Sequence, residues 1–150
     1  ESSAASDVYK RQLLTLGLFL SFSHSLLADN SFFEEGKKKY LEKKYDESKF
    51  LFQRSIVFNP KDTKSYLYLA KIFRIEKNKK EEEKNIETTL LLDPTNEEAT
   101  YILMEIELKK SNYSKVKELT ENFAKICKTL CKKNDLILKE LKNLEPKNES

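Results

Sequence analysis

The chain has 150 residues, 39% apolar and 35% charged, with 28 basic and 25 acidic side chains and a net charge of +3. That length suits one domain, able to bury roughly 70% of the surface its unfolded form exposes. Two glycines, Gly17 and Gly36, leave little material for hairpin turns, so an all-β fold is excluded, and the wealth of Lys, Glu, Leu and Asn favours helices. The one histidine, His24, falls in a segment expected to be removed, which excludes Ser-His-Asp and Cys-His catalysis and His-ligated metal. With Gly36 alone remaining, no glycine-rich loop can cradle a phosphate. Neither catalytic residues nor a metal or cofactor site is expected.

Residues 2–12, Ser-Ser-Ala-Ala-Ser-Asp-Val-Tyr-Lys-Arg-Gln, resemble the in-frame translation of a transposase sequencing-library adapter. The chain begins without Met, and the native start is expected upstream, so residues 1–12 are set aside as an artefact. Residues 13–22 form an uncharged apolar run that grades through Ser23–Ala28 into charge at Asp29. A membrane span needs about 20 apolar residues, whereas a signal-peptide core needs about 7–15 followed by small residues. Residues 13–28 fit the second description, with cleavage after Ala28 and export to the periplasm or beyond. Two other readings stay open, a buried helix of the domain and an uncleaved membrane anchor. Residues 1–28 contain Glu1, Asp7, Lys10 and Arg11, so the net charge is unchanged without them. Charges of both signs alternate along the rest, which describes a solvated helical surface rather than a nucleic-acid stripe.

A period of 34 residues relates Phe32 to Tyr66, Gly36 to Ala70, Phe52 to Ile86, Ser55 to Thr89 and Pro60 to Pro94, while Tyr45 and Tyr113 are 68 apart. Within one period Tyr66, Leu69, Ala70 and Phe73 fall at i, i+3, i+4, i+7, one face of a helix. Small residues at Gly36 and Ala70 permit two helices to approach closely. Asn59-Pro60 and Asp93-Pro94 end one helix and begin the next, because proline lacks an amide donor and restricts the residue before it. Asp62, Thr63, Thr95 and Asn96 are suited to helix N-caps. Helices are expected near 30–43, 46–58, 63–76, 79–92, 96–110 and 113–130. A capping helix over 133–144 would start at Asn134 or Asp135, with Leu136, Leu138, Leu141 and Leu144 inward. Residues 145–150 read as a frayed tail.

The set Phe32, Gly36, Tyr45, Ser48, Phe52, Ser55 and Pro60, repeated as Tyr66, Ala70, Ile86, Thr89 and Pro94 and more loosely as Leu103, Tyr113, Val116 and Phe123, resembles the tetratricopeptide repeat. Three units are expected, 29–62, 63–96 and 97–130, together forming a 29–144 domain with its cap. The resemblance implies an all-α, right-handed solenoid of helix-turn-helix repeats. It also implies a ligand groove lined by the first helix of each unit. The groove places are Asn30, Phe33, Lys37 and Tyr40; then Lys64, Leu67, Lys71 and Arg74; then Glu98, Tyr101, Glu105 and Leu108. Of these Phe33, Lys37, Tyr40, Lys64, Leu67, Lys71, Arg74 and Tyr101 are the candidate peptide-binding residues. The basic members suit an acidic segment or a C-terminal carboxylate. The asparagines of the family's chaperone-binding carboxylate clamp are absent from these places.

Cys127 and Cys131 are the only cysteines. On a continuous helix their Cβ atoms would stand about 5–6 Å apart, while a disulfide needs about 3.5–4.5 Å. Either the helix ends between them and they are bonded, or they are reduced core residues; metal or redox work is a third reading, with zinc disfavoured by two cysteines without histidine. The function implied is protein–protein interaction, as an adaptor, scaffold or assembly factor of a bacterial envelope with a protein or peptide partner. It is not an enzyme on this reading. A membrane-tethered scaffold is the alternative, and a carboxylate-based enzyme fragment a third.

Overall fold

A computed structural model describes residues 24–144. The adapter-like segment 1–12, most of the apolar segment 13–28 and the tail 145–150 lie outside the described residues. Seven helices and no strand occur among those described: α1 His24–Leu41, α2 Tyr45–Phe58, α3 Thr63–Ile75, α4 Lys79–Leu92, α5 Glu97–Lys109, α6 Tyr113–Ile126 and α7 Cys131–Leu144. α1 starts at His24, before the expected position 30, so residues 24–28 belong to it. The chain divides into two compact units, one ending at Asp62 and one beginning at Thr63.

The first unit is the α1–α2 hairpin. Gly36 is buried where the two helices meet, and a Cβ there would stand 2.9 Å from Cε1 and 3.0 Å from Cδ1 of Phe52. The absent side chain is what lets the Phe52 ring approach the α1 backbone this closely. Ser48 uses the same approach, donating its hydroxyl to the Gly36 carbonyl at 2.8 Å. Phe33 packs on Phe52 with ring centroids 5.7 Å apart, and both are buried.

In the second unit α3 pairs with α4, α5 with α6, and α7 packs on both α5 and α6. Its core includes Leu67, Ala70, Ile86, Met104, Val116 and Phe123. Ile86 and Ala70 keep the places of Phe52 and Gly36, so an aliphatic side chain on an alanine replaces a ring on a glycine. Met104 fills the third small place and is fully buried.

The 34-residue period reappears in the backbone. Among the described residues Lys43, Lys77 and Ser111 are the non-glycine residues with positive φ, at 60°, 60° and 59°. Each ends the first helix of a hairpin in the same way: Lys43, Lys77 and Ser111 N–H donate to Tyr40, Arg74 and Leu108, and the next amides reach back to Lys39, Phe73 and Glu107. This is the Schellman pattern, which satisfies carbonyls left open at a helix end. Asn78 and Asn96 then cap the following helices, donating groups being Glu81 N at 3.3 Å and Ala99 N at 3.0 Å.

The last turn departs from expectation. α6 ends at Ile126, not near 130, with Cys127 extended at φ −65°, ψ 138°. α7 starts at Cys131, so Asn134 is no cap: it lies buried in the helix and donates to the Thr120 carbonyl at 3.2 Å. The inward residues of α7 are Asn134, Ile137 and Leu141, while Leu136, Leu138 and Leu144 are exposed. Ile137, unremarked in the leucine pattern, carries the stripe because residues 130, 134, 137 and 141 share one helix face.

Candidate functional site

α3, α5 and α7 lie side by side in the second unit and bring several groove residues together. Lys71 on α3 pairs with Glu98 on α5 at 2.6 Å, and its ammonium lies 4.6 Å from the Tyr68 ring centroid. One turn on, Arg74 donates through Nη1 to Glu105 at 2.7 Å and through Nε to Glu82 of α4 at 2.6 Å. Glu105 takes a further hydrogen bond from the Tyr101 hydroxyl at 2.6 Å. From α7, Lys133 stands over the Tyr101 ring, 4.9 Å from its centroid.

The charges are compensated within the site. Burial works against the Arg74 charge, but hydrogen bonds to Glu82 and Glu105 outweigh it and hold the guanidinium further into its charged form. The bond to Glu105, with burial, pushes the Tyr101 phenol up to about 12. Glu82 is buried at the place held by Ser48 in the first 34-residue repeat and Val116 in the third, and its partner Arg74 accounts for a carboxylate there. Beside Glu105 a cleft of about 200 Å³ opens between α5 and α7, lined by Glu105, Leu108, Lys109, Glu140 and Leu144.

The other candidates are placed differently. Phe33 and Leu67 are buried, each in the core of its own unit. Tyr40 meets Tyr45 edge-on at 5.7 Å, and Lys37 is half-buried on α1. Lys64 is exposed at the start of α3. Residue spacing did not reveal the ion pairs, although a signal existed: the groove places of adjacent repeats, Lys71 and Arg74 against Glu98 and Glu105, carry opposite charges.

Cys127 and Cys131 are joined in a disulfide with Cα atoms 5.3 Å apart. The turn they span is also held by Glu97, whose Oε2 accepts from Leu130 N at 2.7 Å and Thr129 N at 3.0 Å. Those amide bonds, led by Leu130, keep the Glu97 carboxyl below its usual range. No helix among the described residues is long and apolar enough to cross a membrane.

No protein-family model matches the chain, and no curated protein matches its sequence. Solved structures do. The complex of the TPR2B domain of yeast Sti1 with pHsp70 is 13% identical with a TM-score of 0.69, over 79% of this chain and 99% of that one. The chain has the tetratricopeptide-repeat fold. The type III secretion chaperone SycD of Yersinia enterocolitica, in complex with a peptide of the translocator YopD, has a TM-score of 0.68 at 13% identity, covering 76% of this chain and 92% of its own. The second tetratricopeptide domain of human RPAP3, in complex with the HSP70 peptide SGPTIEEVD, has a TM-score of 0.67 at 17% identity, covering 79% and 98%. In tetratricopeptide terms α3 and α5 are the first helices of successive repeats, and α7 takes the corresponding place after them.

Proposed function

We propose that this chain is a protein–protein interaction module, an adaptor or assembly factor of the bacterial envelope. A partner's extended segment or helix docks on the face formed by α3, α5 and α7. The observation that carries this is the strip Lys71–Glu98, Arg74–Glu105–Tyr101, where neighbouring helices hold each other's charged groups in place. Side chains already ordered lose less entropy when a ligand arrives. The strip is electrically balanced, so it suits a segment of mixed polar and apolar character better than a purely acidic one. Leu108 and Leu144 in the adjoining cleft offer apolar contact. Three similar structures, each determined with a partner peptide or protein, support the class of activity. The Cys127–Cys131 disulfide and the apolar run at 13–22 support export into an oxidising compartment.

The test is selection from a displayed peptide library on the folded chain, followed by affinity measurements on two variants. Lys71→Glu with Glu98→Lys keeps the ion pair but reverses what the face presents. Leu91→Lys alters α4, where Leu91 is 81% exposed. Selected peptides should bind the reversed pair at least about tenfold more weakly and Leu91→Lys unchanged. Enrichment of no peptide, or peptides indifferent to the reversal, would overturn the proposal.

A further inference from the structure

The turns that end the second helix of each repeat are built from different parts. After α2 and α4, Asn59 and Asp93 precede Pro60 and Pro94 and accept from Lys61 N and Thr95 N, each at 3.1 Å. After α6 the residue 34 positions beyond Pro94 is Lys128, and Cys127 stands in place of Asn or Asp. Nothing in Lys128-Thr129-Leu130 forbids a helix. Two devices hold this turn instead: the Glu97 carboxylate and the Cys127–Cys131 bond.

The bond and a continuous helix exclude one another. On a continuous helix the Cβ atoms of residues four apart stand about 5–6 Å from each other, more than the roughly 3.5–4.5 Å that a disulfide such as Cys127–Cys131 spans. The oxidised chain must therefore break between α6 and α7. α7 is also lightly held: it buries Asn134, Ile137 and Leu141, and the buried Asn134 Oδ1 has no hydrogen-bond partner among the described residues. Cys131 is exposed and Cys127 half-buried, so a thiol can approach the outer sulfur.

We propose that Cys127–Cys131 is a thiol–disulfide latch that sets the docking of α7. In the reducing step a thiolate of a dithiol reductant attacks Cys131 Sγ, the S–S bond breaks, and Cys127 leaves as a thiolate that takes a proton. The second thiol of the reductant then displaces Cys131, and two electrons and two protons have passed to the protein. With the bond gone, residues 127–131 regain access to helical geometry and α7 loses its fixed position. Lys133 then leaves Tyr101, and Leu144 and Glu140 leave the α5 cleft, so one edge of the α3–α5–α7 face is removed. The latch stands on the turn geometry and does not rest on the proposed partner binding.

Amide hydrogen exchange on the full chain, before and after treatment with dithiothreitol, tests this, with alkylation and mass confirming two free thiols. Protection across residues 131–144 should fall at least about tenfold on reduction while α3 and α4 keep theirs. Cys127→Ser with Cys131→Ser should show the reduced pattern and ignore dithiothreitol. Unchanged protection in α7 of the verified dithiol would overturn the latch. So would loss of protection throughout the chain, or a response to dithiothreitol in the double variant.

Discussion

At Gly36 a single missing methyl decides how the α1–α2 hairpin closes. A Cβ placed 2.9 Å from Cε1 of a fully buried Phe52 has nowhere to displace the ring. Gly36→Ala gains about 1 kcal/mol of helix propensity, yet overpacking costs about 1–3 kcal/mol. The expected outcome is a net loss of about 1 kcal/mol in urea unfolding; a gain would show that α2 shifts freely. Tyr101 offers a second residue-scale measurement. Its phenol is raised to about 12 by its bond to Glu105 and by burial, so its stabilising contribution is complete below pH 10 and lost as pH climbs toward 12. Ultraviolet titration of the native chain against Tyr101→Phe should assign this tyrosine a midpoint clearly above 10. A midpoint near 10 would mean that the bond to Glu105 is not kept in solution. Gly36 was readable in the sequence because a small residue recurs opposite an apolar one. The Tyr101–Glu105–Arg74 bonds were not, since the i, i+4 spacing of Tyr101 and Glu105 gives no hint of a guanidinium arriving from another helix.

At the scale of the element, turns carry the information that the apolar pattern lacks. Lys43, Lys77 and Ser111 hold left-handed geometry without being glycine, a conformation that costs an L-residue about 1–2 kcal/mol. Lys77→Gly should stabilise the chain by up to about 1 kcal/mol, after the greater entropy of the unfolded glycine is deducted. Lys77→Val should destabilise by more than about 1 kcal/mol, because a β-branched side chain suits this region least. Equal thermal midpoints for the two variants would contradict the assignment. These turns escaped sequence reading because no glycine marks them. The proline turns after α2 and α4 were legible, while the α6–α7 turn was misplaced because its breaking groups are a disulfide and a carboxylate from α5. Glu97 makes that turn sensitive to acid. Its folded pKa lies below the ordinary glutamate value of 4.5, so its contribution is present above about pH 4.5 and lost as pH falls through the folded value. The Thr129 and Leu130 amide shifts should move with one midpoint below 4.5, and Glu97→Gln should abolish that movement. A midpoint at or above 4.5 would show that the carboxylate does not hold the turn.

For the molecule as a whole, periodicity was the legible quantity. Residues 34 apart share burial and role: Ser48, Glu82 and Val116; Phe52, Ile86 and Thr120; Ser55, Thr89 and Phe123 are all buried. Such repetition identifies the helical hairpins without any matching family model. The polarity of the α3–α5–α7 face was less legible. Lys71 and Arg74 look like a basic patch along the chain, yet each faces a glutamate 27 or 31 residues on. Phe33 and Leu67 sit at groove places by repeat position but are buried in their cores. A repeat pattern assigns faces to helices; it does not say which side chains a neighbouring helix will cover or neutralise. The proposed function requires that this face receive a partner segment. Its most direct test is backbone chemical-shift mapping with the tightest peptide from the library selection. Perturbations are expected at Lys71, Arg74, Tyr101 and Lys133, weakened when Lys71 and Glu98 are exchanged. Perturbations confined to α4 and α6, around Leu91, with no change at those four residues, would contradict it.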